Sequence, residues 1–381
     1  MASCGPPVTG ASRADDVHES QQWLAGNHLD ERDDTYEAHH FRLLADRSST
    51  GADRLAARAA IGMSLAAELC GDSITYRLKA IEDQGMRFVL RITILCIFSW
   101  PAWAESALVL QSDFGVKDGA VAAMKGVAVG ISATVPLHDL THEIPAFNIW
   151  EAALRLEQTA EYWPTGTVFV SVVDPGVGSE RKSVVMRTRS GHYFVTPDNG
   201  TLTFVAARLG ISAVREIDEA VNRRSNSEKS YTFHGRDVYA YTGARLAAGL
   251  ISFEQVGREL PPLVVAIDHQ QARFDNGAVD GTISILDVQY GNVWTNIDRQ
   301  TFERLQLAAG DSVAVTIRHG AKIVTRLEAP YLSTFSAAAA RQPLLYLNSL
   351  DRVALALNQA SFAERYHVQS GPSWSIHLSR K

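Results

Sequence analysis

From Ala107 onward the chain alternates short apolar runs with stretches of helical period. Ala107-Leu108-Val109-Leu110 reads as a strand ending at Gln111-Ser112-Asp113-Phe114-Gly115, and Asp118 to Ile131 as the helix that follows. A second unit starts near Thr134-Val135-Pro136-Leu137, and apolar residues recur at helical spacing from Ile149 to Tyr162. Thr167-Val168-Phe169-Val170-Ser171-Val172-Val173 is continuous and β-branched, the pattern of a strand buried on both faces. This strand, helix, strand order argues for an α/β layer. After Pro261-Pro262 the character changes. Gly281 to Asp287, Ser312 to Ile317 and Lys322 to Leu327 are short strands separated by Gly, Asn and Asp turns, which predicts a small antiparallel β domain. The expected domains are 105–262 and 272–381, with the boundary near 262 to 275.

On this frame Asp113 and Asp174 both fall just past the carboxyl ends of predicted buried strands, where open α/β sheets place ligands. Asp113 fits two roles equally, a helix cap or a carboxylate accepting the two hydroxyls of a ribose. Asp174 and Arg181 share the segment Val173-Asp174-Pro175-Gly176-Val177-Gly178-Ser179-Glu180-Arg181, and His234 lies in Phe233-His234-Gly235-Arg236-Asp237. A carboxylate, a guanidinium and an imidazole can position a water, hold its developing negative charge and accept its proton, provided the fold brings the two segments together. Each also has a structural reading: Arg181 as a surface ion-pair partner, His234 as a histidine at a helix start.

Gly176 and Gly178 do not make a dinucleotide fingerprint, because Arg181 occupies the place of its third glycine. His138-Asp139 and His142-Glu143 contain metal-ligand types, and the histidines would share one face of a helix. The segment follows an apolar strand and precedes Pro145, so a loop with hydrogen-bonded side chains is favoured and no metal is expected.

Composition narrows the classes. The 381 residues carry a net charge of -6 and are 46% hydrophobic, as suits about two soluble domains. No basic stripe is present to neutralise phosphates, which argues against nucleic acid as a partner. From Met86, Arg87 and Arg91 flank the apolar run Ile92 to Trp100, and Ala102-Trp103-Ala104 follows. This layout predicts a signal peptide over 86–104, cleaved before Glu105, with translation starting at Met86 and 1–85 a poorly structured extension. The run is too short for the roughly 20 residues of a membrane span, so no stable membrane anchor is expected; a buried strand is the alternative. Export would make the protein periplasmic or secreted, and disuse of the signal would leave it cytoplasmic. Cys4, Cys70 and Cys96 all precede the expected cleavage site, so the mature chain would have no disulfide or thiolate chemistry.

One family shares these segments. Ser112-Asp113-Phe114-Gly115, Met124-Lys125-Gly126, Asp139-Leu140-Thr141-His142-Glu143-Ile144, Asp174-Pro175-Gly176-Val177-Gly178, Pro197-Asp198-Asn199-Gly200, Phe233-His234-Gly235-Arg236-Asp237, Gly291-Asn292-Val293-Trp294-Thr295-Asn296 and Leu347-Asn348-Ser349 occur in that order. With them the chain from Ala107 resembles the S-adenosyl-L-methionine (SAM) hydroxide adenosyltransferase family, which is related to SAM-dependent fluorinases and chlorinases. The resemblance implies an α/β sandwich with a mostly parallel sheet, a carboxyl-terminal antiparallel β-barrel-like domain, and a homotrimer with SAM sites between neighbouring subunits. It implies that Asp113 holds the ribose diol, Asp287 and Ser349 the methionine moiety and Asn292 the adenine, while Asp174, Arg181 and His234 orient and activate water. SAM is then the substrate and no cofactor is needed. The expected reaction is in-line attack of water or hydroxide on the ribose 5' carbon, giving adenosine and L-methionine.

Halogenation and non-catalytic SAM or nucleoside binding are the alternatives. A fluorinase-like site has tyrosine where this chain has Asp174, and an anionic side chain there would repel a halide by roughly a few kcal/mol. Leu350 follows Ser349 where an arginine can occur in halogenases, which leaves the methionine carboxylate anchor open.

Overall fold

A computed structural model describes residues 106–381. The expected extension and signal segment, with all three cysteines, lie outside the described residues.

The first sheet contains β1 (Leu108–Ser112), β2 (Leu137–Thr141), β3 (Val168–Val172), β4 (Ser183–Thr188), β5 (Tyr193–Pro197), β6 (Ile211–Glu216) and β7 (Glu259–Leu260), in the order β2-β1-β3-β5-β4-β6-β7. The period-2 alternation of β1 and β3 sorts their side chains into two separate cores. Leu108, Leu110, Val168, Val170 and Val172 face one, shared with Met124 and Ala128 of the helix Ala120–Ile131 and with Val238, Tyr239 and Ala244. Val109 and Phe169 face the other, beneath Leu156, Ala160, Leu202 and Val205. The domain is therefore a three-layer sandwich, and burial of β1 and β3 on both faces explains their unbroken apolar runs.

The sheet is mixed rather than mostly parallel. The pairs β1 with β2, β1 with β3 and β3 with β5 are parallel, whereas β4 with β5, β4 with β6 and β6 with β7 are antiparallel. The reason is local: Arg189-Ser190-Gly191-His192 closes a tight hairpin in which the Gly191 N–H bonds the Thr188 carbonyl at 3.1 Å, and adjacent strands joined so tightly must run antiparallel. The segment expected as a loop around His138 and Asp139 is instead edge strand β2; the Asp139 and His142 side chains are hydrogen-bonded to each other as anticipated, while the His138 ring packs at a tilt against that of Trp163.

The second sheet contains β8 (Arg273–Asp275), β9 (Ala278–Leu286), β10 (Val293–Asp298), β11 (Ser312–His319), β12 (Lys322–Pro330), β13 (Pro343–Leu347), β14 (Arg352–Leu357) and β15 (Trp374–Arg380). Its order is β12-β11-β15-β9-β10-β14-β13, with β8 paired to β9 and every pair antiparallel. The ends approach each other through the bridge between Tyr331 and Leu345, which nearly closes a barrel around Ile283, Val293, Val315 and Leu355. The sandwich and the barrel meet at the helix Ile149–Thr159. Trp150 donates its indole N–H to the Ser284 carbonyl at 2.7 Å, and buried Glu157 accepts two bonds from Arg352, at 3.1 and 2.7 Å.

Candidate active site

Three chain segments converge at the carboxyl ends of β1 and β3. Because Ser112 pairs with Val172 in parallel register, Asp113 and the Val173-Asp174 pair leave the sheet side by side. The third segment arrives through Gly235. A Cβ there would stand 3.1 Å from Phe114 Cζ and 3.1 Å from Val172 Cγ1, so only glycine lets His234 approach without displacing either side chain. Phe114 and Phe233 meet edge to face, with ring centroids 5.7 Å apart, and hold the first and third segments together. Asn199 adds a tether by donating its amide to the Val173 carbonyl at 2.9 Å, which gives the Pro197-Asp198-Asn199-Gly200 motif a local role.

Asp174, Arg181 and His234 are brought into one contact network. Arg181 Nε donates to both carboxylate oxygens of Asp174, at 3.0 and 3.1 Å, and its Nη2 also binds Oδ2. That same Nη2 lies 2.9 Å from His234 Nδ1. Arg181 is no surface ion-pair residue: the side chains of Arg181 and Asp174 retain only 11% and 5% exposure. Burial opposes the charge on Arg181, but its bonds to Asp174 prevail and its pKa stands above the ordinary guanidinium value. His234 is buried, and its pKa is held below the usual imidazole value by that burial, opposed by Glu219 and Asp174 and reinforced by Arg181 and Arg223. It is therefore neutral near pH 7.

Sequence reading missed several supporting residues. Ser183, at the start of β4, accepts from Arg181 Nη1 at 3.0 Å and contacts the Tyr239 hydroxyl at 3.0 Å. Tyr239 is fully buried, which pushes its phenol well above its ordinary pKa and keeps it neutral. Gly235–Ala240 forms a π-helical turn, whose five-residue repeat brings the Tyr239 ring to 6.5 Å from that of His234. Glu219 and Arg223 complete the surroundings of His234. None of the four belongs to a recognised motif; the only local signal was the proximity of Ser183 to Arg181.

Asp113 is not a helix cap. The helix Ala120–Ile131 has Gly119 as its N-cap residue, and Asp118 accepts from the Ala120 N–H at 2.9 Å. Asp113 Oδ2 instead accepts the Phe147 N–H at 2.8 Å, leaving the half-buried carboxylate further acceptor capacity. The other candidates lie in the barrel domain. Asp287, Asn292 and Ser349 line one cavity of about 860 Å³, whose lining includes none of Asp113, Asp174, Arg181 or His234. Asp287 accepts from the Gln289 and Tyr290 N–H groups, at 3.2 and 3.3 Å, and from Asn292 Nδ2 at 3.4 Å. In the Leu347-Asn348-Ser349 turn, Asn348 Oδ1 binds the Leu350 and Arg352 N–H groups, while its buried Nδ2 has no partner among the described residues. Arg352, the first arginine after Ser349 in the sequence, is bonded to Glu157. Among the described residues no group of three or more His, Cys, Asp or Glu could hold a metal. His142 instead binds Ser112 Oγ at 2.7 Å and Asp139 at 3.1 Å.

In this α/β sandwich a carboxylate, a guanidinium and an imidazole meet beyond the carboxyl ends of two parallel strands, where open α/β sheets place ligands. Comparison with known proteins identifies the group. Family models described as the SAM hydroxide adenosyltransferase N-terminal and C-terminal domains match residues 108–257 and 281–375, and the chain belongs to this family. It is 40% identical over 218 residues to the (R)-S-adenosyl-L-methionine hydrolase of Methanocaldococcus jannaschii, covering 56% of this chain and 73% of the relative. The enzyme of that name from Salinispora tropica is 32% identical over 261 residues, 68% of this chain and 93% of the relative. A fluorinase from Actinopolyspora mzabensis is 28% identical over 303 residues, 73% and 99% of the two chains. An uncharacterized conserved protein from Thermotoga maritima has a similar solved structure, with a TM-score of 0.66 at 32% identity, covering 72% of this chain and 100% of that one.

Proposed function

We propose that the protein hydrolyses SAM to adenosine and L-methionine. The observation that carries this reading is the buried Asp174–Arg181 pair in contact with His234, at the strand ends where Asp113 also emerges. Water attacks the ribose 5' carbon in line with the sulfonium; the new C–O bond forms as the C–S bond breaks, and its electron pair leaves with sulfur as a neutral thioether. Arg181 stabilises the incipient hydroxide, and the carboxylate of Asp174, which keeps lone pairs beyond those used by Arg181, accepts the proton. Neutral His234 accepts from Arg181 and fixes its plane. Asp113 holds the ribose, Asn292 the adenine, and Asp287 and Ser349 the methionine moiety. A carboxylate at position 174 disfavours a halide in the same place, which supports hydrolysis over halogenation.

The protein is read, from its family resemblance, as a homotrimer in which the amino-terminal domain of one subunit faces the carboxyl-terminal domain of its neighbour; the separation of the Asp287, Asn292 and Ser349 cavity from the Asp174 cluster within one chain is consistent with sites shared in that way. The segment 86–104 is read as an export signal, and amino-terminal sequencing of protein from the native cell that finds Glu105 first would bear this out. The activity is tested by incubating the full chain with SAM, with and without chloride, and separating the products chromatographically. Adenosine is the expected product. 5'-Chloro-5'-deoxyadenosine would indicate halogenation, and SAM bound but unchanged would make the protein a binder.

A further inference from the structure

The hydrogen-bond balance around His234 is unusual. Its Nδ1 faces Arg181 Nη2 at 2.9 Å, and its Nε2 faces Arg223 Nη2 at 3.1 Å. Guanidinium groups only donate, neutral imidazole offers one acceptor nitrogen, and imidazolium offers none. One ring nitrogen can therefore accept, while the N–H of the other confronts a cation. A second proton on the ring would confront both cations.

Arg223 is firmly fixed. Its Nε binds Glu219 at 3.1 Å, its guanidinium lies 5.0 Å from the centroid of the Tyr231 ring, and its side chain is 5% exposed. Both chain neighbours are clamped. Asn222 donates to the Gln255 and Val256 carbonyls at 3.2 and 2.8 Å and accepts the Thr242 hydroxyl on its own carbonyl. Arg224 donates from its backbone N–H to the Asp237 carbonyl at 2.9 Å and from Nε to the Asp237 carboxylate at 3.0 Å. Arg223 Nη1 is buried with no partner among the described residues, a penalty that packing alone does not require.

We propose that Arg223, anchored by Glu219, is a positioning residue that confines His234 to its neutral form, so that the proton of the attacking water passes to Asp174 and not to the imidazole. The groups facing His234 are Arg181 and Asp174 on the substrate side, Arg223 with Glu219 behind it, and the rings of Tyr231 and Tyr239, at 6.1 and 6.5 Å. Its depressed pKa agrees with this arrangement. The kinetic part of the proposal rests on the hydrolase reading, whereas the effect on His234 does not.

The experiment is an NMR titration of ring-15N-labelled histidine in the full chain, with the His234 signal identified through His234→Asn. Wild type, Arg223→Gln and Arg223→Lys are compared, and SAM turnover is followed over the same pH range. Wild-type His234 is expected to titrate below the ordinary value of about 6.5. Arg223→Gln should raise that midpoint by about one unit and move the acid limb of kcat upward with little change in KM. Arg223→Lys, which keeps the charge, should largely restore both. A wild-type midpoint at or above the ordinary value, or one unmoved in Arg223→Gln, would overturn the proposal. If the glutamine variant does not fold, Glu219→Gln, which frees the Arg223 charge from its anchor, should lower the midpoint further, and no movement there would overturn it as well. A moved midpoint in a protein that leaves SAM intact would uphold the role of Arg223 and sink the hydrolase reading.

Discussion

At the scale of residues, the site depends on charges placed where water cannot screen them. Asp174 and Arg181 satisfy each other in a nearly dry setting, so removing either charge strands the other. Asp174→Asn is therefore expected to lower kcat by roughly 10²- to 10⁴-fold, the usual scale of a lost general base, with a smaller effect on SAM affinity. Steady-state rates and calorimetric binding check this together, and an unaltered kcat would remove Asp174 from the mechanism. His234 adds a pH signature. Its folded pKa lies below its unfolded value, so below the ordinary imidazole range the unfolded chain takes up a proton that the folded chain resists. The stability it contributes is complete above about pH 6.5 and is lost as pH falls through the window between that value and the depressed folded pKa. Urea unfolding midpoints across that window should decline in wild type and flatten in His234→Gln.

At the scale of elements, strand ends and one glycine assemble the site. The apolar runs of β1 and β3 made those strands legible, and with them the positions of Asp113 and Asp174 just past their ends. The hairpin at Arg189 to His192 carried a turn signal, but the antiparallel half of the sheet could be inferred only by pairing strands that sequence reading did not delimit. The His138 to Glu143 segment misled because its polar residues hid an edge strand, whose open side tolerates them. Gly235→Ala tests how the elements converge. The added methyl must push Phe114 and Val172 apart by a few tenths of an ångström, which should cost about 1–3 kcal/mol of stability and disturb His234. Gly243→Ala, whose Cβ would press directly on Val170 Cγ2 away from the site, provides the comparison. If Gly235→Ala lowers turnover no more than its effect on folding explains, the close approach does not serve His234.

At the scale of the whole molecule, the proposed catalytic and binding residues fall into two separate groups, one in each domain. The Asp174 cluster belongs to the sandwich, the Asp287, Asn292 and Ser349 cavity to the barrel, and contacts such as Trp150 with Ser284 and Glu157 with Arg352 fix the two domains to each other. If neighbouring subunits complete each site, Asp174→Ala and Asn292→Ala chains should each be inactive alone and regain part of the activity when co-expressed, because some interfaces then pair two intact halves. Adenosine formation by the mixed oligomer measures this. Light scattering should give three times the chain mass, and failure to complement would place both halves in a single subunit's site.

The sequence by itself determined the α/β and antiparallel β character of the two parts, the placement of Asp113 and Asp174, and the family, because hydrophobic period and contiguous motifs are local properties of the chain. Tertiary structure alone decided that Arg181 is buried rather than a surface cation, that Asp113 caps no helix, and that Ser183, Glu219, Arg223 and Tyr239 surround the triad. Those facts arise from contacts between segments distant in sequence, such as Arg181 with His234 and Arg223 with His234, where burial raises the strength of each charge and the number of available lone pairs limits which nitrogen can carry a proton.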